Sequence, residues 1–234
     1  NLELQGIQPT SSVVKLKKVL AEHRGLSASF LNGDTSKSSA ISSKGREVDN
    51  ALAKTESAIN GLVTDQSILN HLRNIKNAWL SIKDGIASGQ MEAPESFQTH
   101  SRLIQNNDLF ISELSKHFLL SYDPAAASYH AIIANFQNLP RLTDSLGKVR
   151  GAGAGVLSSA LPSPSQKAAV RGYLNNIATP LQDLKYNMAS AAEADTRFAS
   201  LARDAEDITQ KIEQLVLLAT EEVVEKNNST YSAN

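Results

Sequence analysis

Leu16-Lys17-Lys18-Val19-Leu20-Ala21-Glu22-His23-Arg24-Gly25-Leu26-Ser27-Ala28-Ser29-Phe30-Leu31 is the stretch on which the fold turns. Leu16, Leu20, Ala28 and Leu31 recur at helical spacing and share one face, and Arg24 falls inside that face. The pattern returns as Leu142, Leu146, Arg150, Gly151, Ala154 and Leu157, every matched position keeping an offset of 126. Two copies of a helix–turn–long-helix unit follow from this, at residues 11–88 and 137–215, with a helix over about 94–121 that has no counterpart.

The rest of the chain reads as helix. Breaks are few: Gly6–Pro9, Asn32-Gly33-Asp34, Ser88-Gly89, Asp123-Pro124 and Leu161-Pro162-Ser163-Pro164. Residues 37–87 carry Ile41, Val48, Leu52, Ile59, Ile68, Leu72, Ile75, Trp79 and Ile82 on one stripe, with Gly61 as a point of bending. Pro94 suits the first turn of the next helix. A further helix runs from Pro124 to about Ala160, and Pro140 should kink it. From Ser165 to about Asn228 a seam of Leu181, Leu184, Met188, Ala191, Asp195, Phe198, Ala202, Ala205, Ile208, Ile212, Leu215 and Ala219 alternates steps of three and four. It predicts one continuous helix on the order of 90 Å long. The expected fold is all-α. It is an elongated antiparallel bundle of four to six long helices, with two stacked four-helix bundles as one arrangement, and residues 1–234 form a single domain.

Composition narrows the function. The 234 residues carry 23 Lys+Arg and 24 Asp+Glu, a net charge of −1, which excludes a basic nucleic-acid binder. Cysteine is absent, so disulfides, thiolate metal sites and cysteine nucleophiles are excluded. The five histidines lack metal-ligand spacing, and no metal or cofactor is expected. No phosphate-cradling glycine loop, nucleophile elbow or zinc-protease motif occurs, so no enzyme is expected. The longest uninterrupted apolar run is Leu215–Ala219, far short of a membrane span, and no signal peptide is visible.

Arg24 and Arg150 are therefore the residues to explain. Turned into a bundle, each needs a carboxylate of the protein or a bound anion opposite, because an unpaired guanidinium is costly to bury. Asp49, Asp65 and Asp195 are the candidate acids. Gly25 and Gly151 follow the two arginines, and a helical glycine costs about 1 kcal/mol relative to alanine, which suggests close helix approach or room for a ligand. His23 lies at the edge of the Leu16–Leu31 face, and His100 shares an apolar face with Leu103, Asn107 and Phe110. The candidate ligand-binding set is Arg24, Arg150, His23, His100, Gly25 and Gly151.

The segment His23-Arg24-Gly25-Leu26-Ser27-Ala28, continued by Leu31-Asn32-Gly33-Asp34 and preceded by Glu3-Leu4-Gln5-Gly6, resembles the start of extracytoplasmic sensor regions in methyl-accepting chemotaxis receptors. The second copy, Arg150-Gly151, is similar to the helical nitrate- and nitrite-sensing domains, in which arginines on paired helices bind a small anion between bundles. The layout also resembles helical bimodular sensors of organic acids. The resemblance implies a periplasmic ligand-binding domain of an inner-membrane chemoreceptor, a homodimer that touches the membrane only through flanking spans. It would sense a small anion or organic acid and pass on a helix displacement. A sensor histidine kinase, a diguanylate cyclase and a ligand-free docking bundle are the alternatives.

Overall fold

The computed structural model describes residues 2–157, 159 and 161–226, and among them every regular element is helical. The chain divides into two compact units, Asn1–Asp123 and Pro124–Asn234. The all-α, antiparallel fold class is what the structure shows.

The first unit holds α1 (Leu2–Leu31), α2 (Ser38–Ile59), α3 (Gln66–Ala87) and α4 (Ala93–His117). α1 lies against both α2 and α4, and α4 also lies against α3. The stripe read as one segment over 37–87 is two antiparallel helices. Asn60 turns extended and Gly61 takes φ +73°, a left-handed conformation that favours glycine. Asp65 then caps α3, accepting from the Ser67 amide at 2.8 Å. Lys76–Glu56 and Lys83–Asp49, each at 2.7 Å, pair the helices in opposite directions. The expected break at Gly6–Pro9 does not occur, because α1 runs through Pro9. Gly6 has a packing reason instead: a Cβ there would lie 2.3 Å from Phe118 Cβ. Val13, Leu16, Leu20, Trp79, Phe110 and Leu114 are fully buried in this unit, each such side chain worth about 1.5–3 kcal/mol over exposure.

The second unit begins with α5 (Ala126–Ile133), which passes through a π-helical turn at Ala134–Asn138 into α6 (Leu139–Leu157). The irregularity expected at Pro140 is this widened turn: a proline inside a helix removes a donor and crowds the preceding turn. α7 (Pro164–Asn175) opens on a capping box between Ser163 and Gln166. α8 (Ala178–Ala194), α9 (Ala199–Ala219) and a π-helical turn at Thr220–Glu225 complete the unit. α6 lies on α7 and α8, α5 on α8, and α8 on α9.

The single helix expected over residues 165–228 is thus three helices, and residues beyond 226 lie outside those described. Asp195 takes an extended conformation and its carboxylate accepts from the Arg197 amide at 2.9 Å, which ends α8 and starts the next turn. Lys185 then reaches Glu206 at 3.2 Å, across a gap that a continuous helix would stretch to about 31 Å at 1.5 Å per residue. The seam continues in phase through the reversal, so periodicity alone did not betray it. Its later positions do not all face the core: Ala205, Thr209 and Ile212 are buried, whereas Ile208 and Leu215 are 49% and 48% exposed.

Candidate functional site

Two consecutive residues of α1 meet two consecutive residues of α4. His23 Nδ1 lies 2.9 Å from His100 Nε2, and Arg24 Nη1 donates to Ser101 Oγ at 3.2 Å. The guanidinium also sits over the Phe97 ring, 5.2 Å from its centroid. Arg24 is 2% exposed, while Ser101 and Phe97 are half-buried. Other bonds between the helices hold the register. Lys17 Nζ reaches Asp108 at 2.5 Å, and Asn107 Nδ2 donates to the Val13 carbonyl at 3.0 Å.

The hydrogen bonds assign the imidazole tautomers. His100 Nδ1–H donates to the Ser96 carbonyl at 2.7 Å, so Nε2 carries the lone pair that accepts from His23 Nδ1–H. Ser27 Oγ lies 3.2 Å from the same His23 nitrogen. Burial foremost, then His100, pushes His23 down to about 3, with Lys44 and Lys83 acting the same way and Asp49 opposing. Burial pushes His100 down to about 4; Arg24 adds to the fall and the Ser96 carbonyl opposes it. Both rings are neutral at pH 7. His23 meets Trp79 edge-on at 4.8 Å, and Trp79 Nε1 donates to Asp49 at 2.8 Å. Burial would raise the Asp49 pKa, but the bonds from Lys83 and Trp79 outweigh it and hold the carboxyl below its ordinary value.

The two arginines differ in surroundings. Arg150 is exposed, against the inward orientation expected of it. Leu142, Val149, Gly153 and Val156 form one buried line on α6, and Arg150 stands about 80° from Leu142 at 100° per residue. Arg24 stands at the same angle from Leu16, but α4 covers that flank of α1. Gly151 is exposed and a Cβ there would meet nothing within 4 Å, so neither close approach nor a cradle explains it. Gly25 is half-buried, its carbonyl accepting from Ser29 Oγ at 3.4 Å.

The acids expected opposite the arginines are engaged elsewhere: Asp49 with Trp79 and Lys83, Asp65 with Ser67, and Asp195 with Arg197. The structure brings His23, Arg24 and His100 together and sets beside them Phe97, Ser101 and Ser96, which the sequence did not single out. Phe97 and Ser101 are one turn apart on α4, a spacing too common to single out unaided. Among the described residues no group of three or more potential metal ligands occurs, and no helix is long and apolar enough to cross a membrane.

Arg24 is thus a buried cation held between two helices of the first unit. The family described as nitrate and nitrite sensing matches residues 15–233, and the chain belongs to that family. No curated protein and no solved structure matches it.

Proposed function

We propose that this nitrate- and nitrite-sensing domain is the periplasmic input module of an inner-membrane chemoreceptor and binds a small oxyanion through Arg24. The observation that carries the reading is an arginine 2% exposed, within the span matched by the family. Nitrate and nitrite are planar monoanions, and the planar guanidinium fork matches such oxygens through paired N–H···O bonds. His23 and His100 support Arg24 from the neighbouring rung, and Gly25 leaves the flank beside it without a side chain. Arg150 and Gly151, on the exposed side of α6, are the second candidate pair. The signal is a ligand-biased helix displacement, limited in size by the difference in affinity between two states.

The module works as a homodimer. Leu201, Ile208 and Leu215 recur every seven residues on α9 and are each about half exposed, the spacing of a helix–helix seam. Calorimetric titration with sodium nitrate and sodium nitrite tests the binding. Saturable uptake by the native chain, lost in Arg24→Gln with the thermal midpoint of the ligand-free protein retained, is the expected result. Equal affinity in Arg24→Gln, or no uptake of either anion by the native chain, overturns it.

A further inference from the structure

Arg24 is a long side chain, and its usefulness to an anion depends on how firmly its plane is set before the anion arrives. Two side chains of α4 act on that plane. Ser101 Oγ receives Nη1–H at 3.2 Å and fixes the in-plane rotation of the guanidinium. The guanidinium carbon lies over the Phe97 ring, 5.2 Å from its centroid, where the ring face can limit its tilt. Phe97 and Ser101 are four residues apart, so one turn of α4 presents both to the same flank of α1. The His23–His100 bond on the adjoining rung locks α1 and α4 in the register that makes this meeting possible. Arg24 is buried while Phe97 and Ser101 are half-buried, so they form the outer, approachable edge of the arrangement.

We propose that Ser101 and Phe97 are positioning residues of the oxyanion site: they pre-set the plane of the Arg24 guanidinium, and affinity for nitrate depends on them although the cation belongs to Arg24. This rests on Arg24 being the anion ligand, as proposed above. The physical ground is preorganisation. A fork already held in one plane loses little rotamer freedom on binding, whereas a loose one loses most of it.

The test is calorimetric titration of nitrate into the native chain, Ser101→Ala, Ser101→Thr, Phe97→Leu, Phe97→Trp and Arg24→Gln, each with its ligand-free thermal midpoint. Ser101→Ala and Phe97→Leu should weaken nitrate about tenfold. Ser101→Thr, which keeps the hydroxyl, and Phe97→Trp, which keeps a ring face, should stay within about threefold of native. The Nε–H resonance of Arg24, followed by 15N NMR, should lose its ring-current shift in Phe97→Leu and regain one in Phe97→Trp. A purely structural role would lower the midpoints and give no such rescue. Unchanged affinity in Ser101→Ala and Phe97→Leu, or failure of the Thr and Trp variants to restore it, overturns the inference while leaving the Arg24 reading intact if Arg24→Gln has lost nitrate. Native-like affinity in Arg24→Gln overturns both.

Discussion

His23 and His100 share one proton-bearing contact at 2.9 Å between the first and fourth helices of the first unit, and His100 cannot take a second proton at Nε2 without breaking it. The pair is a neutral link: His100 is anchored on the Ser96 carbonyl, and His23 is packed against Trp79.

Acid should therefore loosen the first unit. An unfolded histidine titrates near 6.5, whereas His23 and His100 are held to about 3 and about 4. The unfolded chain takes up protons that the folded chain refuses, so their contribution is complete above pH 6.5 and declines as pH falls from there toward 4 and then 3. The slope approaches about 1.4 kcal/mol per pH unit for each histidine. Urea unfolding between pH 7.5 and 5 measures it. His100→Gln should flatten the profile below pH 6.5, and a profile as steep as native would show that other groups govern the acid limb.

Two glycines should respond in opposite directions. Gly6→Ala places a methyl 2.3 Å from Phe118 Cβ and should cost about 1–3 kcal/mol through overpacking. Gly151→Ala meets nothing within 4 Å inside a helix and should stabilise by up to about 1 kcal/mol. Thermal or urea midpoints of the two variants decide the matter.

Asp195→Ala removes the carboxylate that receives the Arg197 amide, where α8 gives way to α9. Loss of such a cap costs about 1 kcal/mol. Asp195→Asn, which retains a side-chain acceptor, should recover most of it. Chemical denaturation of the three proteins provides the comparison.

For the homodimer proposed above, Ile208→Glu and Leu215→Glu should abolish association without reducing helicity, since both positions are about half exposed on α9. Light scattering after size exclusion, paired with far-ultraviolet circular dichroism, reads both quantities. Variants that remain dimeric would place the interface elsewhere.

Helical class, the start of the fourth helix at Pro94 and the disturbance at Pro140 were legible because each rests on a local rule of spacing or backbone chemistry. Chain reversals were harder. Asn60-Gly61 and Asp195 turn the chain without interrupting the apolar rhythm, so two helices folded back on each other look like one long rod. The arginines show a second limit. A helical wheel gives Arg24 and Arg150 the same angle, and only a neighbouring helix covering that flank, α4 over Arg24, makes one buried and leaves the other exposed. The Arg24–Ser101 and His23–His100 pairs join residues 77 positions apart, a tertiary fact no local pattern carries.

Because the imidazole bridge and the guanidinium–serine bond stand side by side, α1 cannot creep along α4 by degrees. A slip of one residue's rise, about 1.5 Å, ruptures both at once. With Lys17–Asp108 and Asn107–Val13 farther along the same helices, the junction acts as a latch with a threshold, yielding only to a push large enough to release all four fastenings.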